Sequence, residues 1–147
     1  MIILDGGLGR QLKAMGAPFR QPEWSALALM EGPEFVRTAH DAFIASGATI
    51  ITTNSYAVVP FHIGEDLFRD QAGALLDLAG RLARDAADAA PHSVQVAAGV
   101  PPMFGSYQPD KFDAGRATEM IGLFRQQLDP YADFFMAETH SSIAEAL

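Results

Sequence analysis

The sequence predicts an α/β fold in which four strand–helix units build one parallel sheet. Three observations carry this reading. Four short apolar runs, at residues 2–4, 48–51, 94–98 and 134–137, punctuate the chain. Amphipathic helical patterns fill the intervals between them. Each run is followed at once by a glycine turn or by hydroxyl, amide or carboxylate side chains, as expected where the carboxyl ends of parallel strands converge on a ligand.

Each apolar run is short and bounded by polar or turn residues, the pattern of a strand buried on both faces. After the first comes the glycine-rich stretch Asp5-Gly6-Gly7-Leu8-Gly9. Pro33 and Glu34 then open a helix, with Pro at an early position and an acid near the N-terminus. Val36, Ala39, His40 and Phe43 recur along it at helical spacing, and Gly47 closes it. A second helix is expected from about Asp66 to Ala90. Its stripe is Leu75, Leu78, Ala79, Leu82 and Ala86, and its outer face is Asp77, Arg81, Arg84, Asp85 and Asp88. Asp113 reads as the N-cap of a third helix with Ala117, Ile121, Phe124 and Leu128 inward, stopped by Asp129-Pro130. A fourth begins near Ser141 or Ser142. Alternation of this kind implies right-handed crossovers. It fits either a small open doubly wound sheet or part of a (β/α)8 barrel.

Composition narrows the function classes. The 147 residues carry 18 acidic and 10 basic side chains, a formal charge of −8. Such a surface repels phosphate backbones and anionic lipid, so nucleic acid and membranes are not expected partners; a small molecule or another protein chain is. The chain has no cysteine, which excludes a disulfide scaffold, a thiolate metal site and a cysteine nucleophile within it. Met1-Ile2-Ile3-Leu4-Asp5 shows no basic, then apolar, secretory pattern, and a cytoplasmic location is expected.

The residues after each run are the candidate site. Gly6 and Gly7 let backbone N–H groups approach an anion, or simply make a tight turn. Asp5 and Glu138 end the first and fourth runs; the pair suits an ammonium group or acid–base work, and equally the capping of helices. Trp24, the single tryptophan, is a core anchor or a platform for a cationic methyl group, and Tyr56 poses the same choice. His40, on an apolar helix face, reads as a satisfied core residue. Pro101-Pro102 stiffens a loop.

Taken in order, Asp5-Gly6-Gly7-Leu8-Gly9, Trp24-Ser25-Ala26, Pro33-Glu34, His40, Ile51-Thr52-Thr53-Asn54-Ser55-Tyr56, Ala98-Gly99 with Pro101-Pro102, and Ala137-Glu138-Thr139 resemble the homocysteine S-methyltransferase family. The resemblance implies a (β/α)8 TIM barrel of about 250 residues, of which residues 1–147 would be the first four βα units, the N-terminal half of a homocysteine-binding domain. It implies a substrate site at Asp5, Gly6, Gly7, Glu138 and Thr139, with the glycine backbone receiving the homocysteine carboxylate and the two acids its amino group. It implies a methyl-donor pocket at Trp24, Asn54 and Tyr56, for a donor such as betaine or S-methylmethionine.

The resemblance also implies zinc, which would bind the homocysteine thiolate so that sulfur attacks the donor methyl group and methionine forms. The family holds that zinc with three cysteines in the second half of the barrel, and this chain has none. His40, His62, His92 and His140 show no ligand spacing. The expectation is therefore a fragment inactive by itself. The alternatives are a non-catalytic amino-acid-binding module, or a half barrel that self-associates through open strand edges.

Overall fold

A computed structural model describes residues 1–147. Its centre is a three-stranded parallel sheet of β1 (Ile50–Thr52), β2 (Gln95–Val100) and β3 (Phe134–Ala137), in that order. Ile51 pairs with Val96, and Gly99 with Met136. Two long crossover helices, α5 (Glu65–Asp88) and α6 (Ala114–Leu128), pack on the outer side of the sheet and against each other, and α5 also packs against α3 (Pro33–Ala45). Four short helices complete the chain: α1 (Leu8–Ala14), α2 (Ala26–Glu31), α4 (Pro60–Ile63) and α7 (Ile143–Ala146).

The first predicted strand shrinks to a single parallel bridge, Leu4 to Ile50. Hydrogen bonds from Asp5 N to Ile50 O (2.9 Å) and from Thr49 N to Ile3 O (2.8 Å) align the segment beside β1. The Gly6-Gly7 turn then ends the pairing. Ile2, Ile3 and Leu4 are exposed, not buried on both faces, because nothing pairs with their outer edge. Double burial holds only for β2, which has a strand on each side. On β3 burial alternates, and Phe135 and Ala137 point to a face that four-residue α7 does not cover.

The helices follow their local chemistry. Pro33 stands at the start of α3, and Gly47 takes a left-handed φ of 99° just past its end. The Asp113 carboxylate accepts from Arg116 N at 3.0 Å and caps α6. Ser142 and Glu145 form a reciprocal capping box at α7. The α6 stripe is Ala117, Met120, Phe124 and Leu128; Ile121, expected inside, is exposed, and Met120, which fits the same three–four spacing between Ala117 and Phe124, takes the buried place. Helices α1, α2 and α4 were not expected, being too short to show a periodicity.

The main core, around Leu12, Leu29, Val36, Leu76, Phe124 and Leu128, lies between the helices and the outer face of β2. A smaller cluster of Ile44, Ile51, Ala83 and Val96 closes the opposite end. Gly80 on α5 lies flat beneath Tyr131, where an added Cβ would stand 2.4 Å from the ring. The ring cannot easily yield, because its hydroxyl donates to Asp77 at 2.6 Å. Gly80→Ala is expected to destabilise the fold by about 1–3 kcal/mol in urea unfolding; unchanged stability would show the ring free to move.

Candidate functional site

Side chains alternate along a strand, so every second residue of the sheet faces away from the helices. Leu4, Thr52, Met136 and Glu138 fall on that inner face. Together with Asp5 they floor a cleft of about 820 Å³ at the carboxyl ends of the strands. Gly6 and Gly7 form one rim. Phe19, Trp24, Tyr56, Phe61, His62 and Tyr107 add a largely aromatic wall.

The two carboxylates differ. Asp5 is held in place: Thr52 N donates to Oδ2 at 2.8 Å and the Thr52 hydroxyl to Oδ1 at 3.1 Å. Burial raises the Asp5 pKa, and the Thr52 hydrogen bonds oppose that rise. Glu138 is tied only by its backbone, N to Val100 O at 3.1 Å. Burial raises its pKa too, Asp5 raises it further, and His140 opposes. No Lys or Arg lines the cleft. Two acids thus share a pocket whose lining holds no Lys or Arg, an arrangement that favours a cationic ligand.

At the rim, Gly6 and Gly7 donate their N–H groups to no other part of the protein. A Cβ on Gly6 would meet the Phe43 ring at 2.9 Å, which explains the glycine by space. On the wall, Trp24 is half-exposed and takes φ 49°, with Phe19 edge-on to it at 5.7 Å. Asn54 is buried, and its amide donates to Ser25 O at 2.9 Å, tying the end of β1 to the Trp24 loop. The Tyr56 hydroxyl shares a hydrogen bond with Ser106.

Of the residues singled out from sequence, Asp5, Gly6, Gly7, Glu138, Trp24, Asn54 and Tyr56 come together in this cleft. Thr139 does not: a left-handed φ of 63° turns it away at the end of β3, and it lines no part of the cleft. Phe61, His62 and Tyr107 were missed. The available signal in the sequence was the pair Phe61-His62 directly after Pro60, which sits on α4 between β1 and α5. His62 Nδ1 lies 3.0 Å from Pro22 O, so the carbonyl fixes its proton on Nδ1, while burial lowers its pKa. His40 is fully buried as expected but is not satisfied, since neither ring nitrogen has a hydrogen-bond partner.

Fold and cleft define a class: a parallel α/β protein whose strand ends gather two acids and several aromatic side chains around one cleft. The chain belongs to the homocysteine S-methyltransferase family, whose model matches residues 2–147. Homocysteine S-methyltransferase 1 of Brassica oleracea var. italica is 33% identical over 87 residues, covering 58% of this chain and 27% of that protein. Selenocysteine methyltransferase of Astragalus bisulcatus is 37% identical over 87 residues, covering 58% of this chain and 26% of that protein. The metallated form of the homocysteine methyltransferase MmuM from Escherichia coli superposes with a TM-score of 0.82 at 30% identity, covering 98% of this chain and 56% of that one. The chain thus spans about half the length of that solved relative.

The zinc implied by the family does not fit the donors present. Cysteine is absent, and no three His, Asp or Glu side chains cluster to hold a metal. The nitrogens of His40 are shut in the core, and His92 and His140 bond to backbone carbonyls. No helix is long and apolar enough to cross a membrane.

Proposed function

We propose that residues 1–147 are the amino-acid-binding half of a (β/α)8 homocysteine S-methyltransferase. The observation that carries this reading is the pair Asp5 and Glu138, two acids in a cleft that no Lys or Arg lines. The homocysteine ammonium sits between them, with Glu138 the free acceptor and Asp5 held by Thr52. The homocysteine carboxylate takes the unpaired N–H groups of Gly6 and Gly7. The methyl donor, a sulfonium or quaternary ammonium such as S-methylmethionine or betaine, lies against Trp24 and Tyr56, whose ring faces attract a cation. Asn54 holds that wall in place rather than touching the donor. Thr139 has no role in this reading.

In the overall reaction the homocysteine sulfur bonds to the donor methyl carbon as the carbon–donor bond breaks, giving methionine and a neutral donor product. These residues bind and orient, which supplies much of the rate in such a displacement. No cluster of metal donors lies among these residues, so in this reading the zinc that activates the sulfur is held by residues outside these 147, as the family implies. Purified protein supplied with homocysteine, S-methylmethionine and zinc is expected to form no methionine, and methionine formation would contradict the division of labour. In calorimetry, homocysteine is expected to bind, and its analogue lacking the α-amino group is not; equal binding of both would overturn the clamp.

A second reading is favoured by the exposed apolar side chains of Ile2, Leu4 and Phe135 at the two outer strands: these edges pair with another chain. Concentration-dependent light scattering tests it, and a strict monomer would count against it.

A further inference from the structure

We propose that Thr53, Ser55 and Gly99 are positioning residues for the Glu138 carboxylate: a closed ring of hydrogen bonds fixes the Gly99 peptide, and the bare face of Gly99 seats the carboxylate. The proposal deepens the reading of Glu138 as the ammonium acceptor and rests on it.

Proton accounting fixes the ring. The Gly99 carbonyl only accepts, so the Ser55 hydroxyl donates to it, at 2.7 Å. Ser55 has then spent its one proton, so Thr53 is the donor in the 2.8 Å contact between the two hydroxyls. Thr53 Oγ1 in turn accepts from Gly99 N at 3.1 Å. Each hydroxyl donates once and accepts once, and both backbone groups of Gly99 are satisfied. The ring clamps the loop after β1 onto β2. Ser55 is fully buried and lines no part of the cleft, so its effect on a ligand passes through Gly99; Thr53, almost as buried, reaches the cleft at its edge.

Gly99 itself needs a reason to be glycine. It is absent from the residues with positive φ, so backbone conformation does not supply one. Space does. A Cβ at Gly99 would stand 2.6 Å from Glu138 Oε1, with Thr52 Cγ2 at 3.1 Å and Ser55 Oγ at 3.4 Å. The nearest obstacle is the tip of a flexible side chain, so an alanine methyl group displaces the carboxylate and leaves the sheet in place. The pairing of Gly99 with Met136 sets Glu138, two residues further along β3, over this spot.

The test follows the Glu138 carboxyl by carbon-13 NMR titration in the full chain, beside thermal unfolding. The readout needs no ligand, so it stands or falls separately from the homocysteine reading. The charged neighbours Asp5 and His140 are unchanged throughout. Wild-type Glu138 is expected to titrate above the ordinary glutamate range. In Gly99→Ala its midpoint falls back toward that range, because the carboxylate has left its buried seat. Thr53→Val gives the same fall, and Thr53→Ser, which keeps the hydroxyl, retains the wild-type midpoint. A folded Gly99→Ala whose Glu138 titrates as in wild type would overturn the proposal. Should Gly99→Ala unfold instead, stability of the double variant Gly99→Ala/Glu138→Ala decides: recovery is expected, and a double variant as unstable as the single one would overturn the seat.

Discussion

Glu138→Gln is expected to weaken homocysteine binding by about 2–5 kcal/mol, on the order of thirty- to several-thousand-fold in Kd. Glutamine keeps the shape of the side chain and removes its charge. The ligand ammonium then loses its free anionic partner, keeping at most a neutral amide acceptor, in a cleft where the oxygens of Asp5 are already engaged by Thr52. Calorimetry on the folded variant measures the loss directly. A pH series adds a second signature. Glu138 must be ionised to hold an ammonium, and burial and Asp5 both raise its pKa. Binding is therefore expected to weaken, as pH falls, above the ordinary glutamate range. Unchanged affinity in Glu138→Gln would remove Glu138 from the site.

The second large effect concerns His40 and acid stability. Burial holds its pKa down from 6.5 to about 4, so the folded chain keeps the ring neutral where the unfolded chain takes up a proton. Stability is therefore lost as pH falls from the unfolded value to the folded one, by about 3 kcal/mol across that window. His40→Leu is expected to abolish this part of the acid sensitivity. It should also gain about 1–3 kcal/mol at neutral pH, because two buried nitrogens without partners are removed. Asp5 and Glu138, whose raised pKa values work in the opposite sense, are common to both proteins and cancel in the comparison. Urea unfolding at several pH values checks it, and stability curves that stay parallel would contradict the account.

Much of this architecture is legible in the sequence because its signals are local. Asp113 caps a helix wherever that helix packs, and the Ser142–Glu145 box is written in four residues. Short apolar runs mark β2 and β3 because burial there is nearly continuous or the flanks are polar. What stayed hidden depends on neighbours. The segment 2–4 has strand composition, yet forms one bridge because its outer edge meets nothing. The aromatic wall joins Trp24, Phe61 and Tyr107 from three separate segments, and no spacing in the chain announces that. Asn54 lines the cleft, but its amide also donates to Ser25 O, a tie to the Trp24 loop that no spacing in the sequence shows. His40 looked like an ordinary core histidine, and only its surroundings show that both nitrogens lack partners.

The central claim is that these 147 residues grip the amino acid by its ammonium and carboxylate, while the sulfur and its metal are handled elsewhere. Homocysteine calorimetry on the purified chain, run once with a strong zinc chelator and once with added zinc, tests it most directly. Equal affinity in the two runs is predicted, since Asp5, Glu138, Gly6 and Gly7 need no metal. Binding that appears only with zinc would place a metal site within these residues and contradict the account.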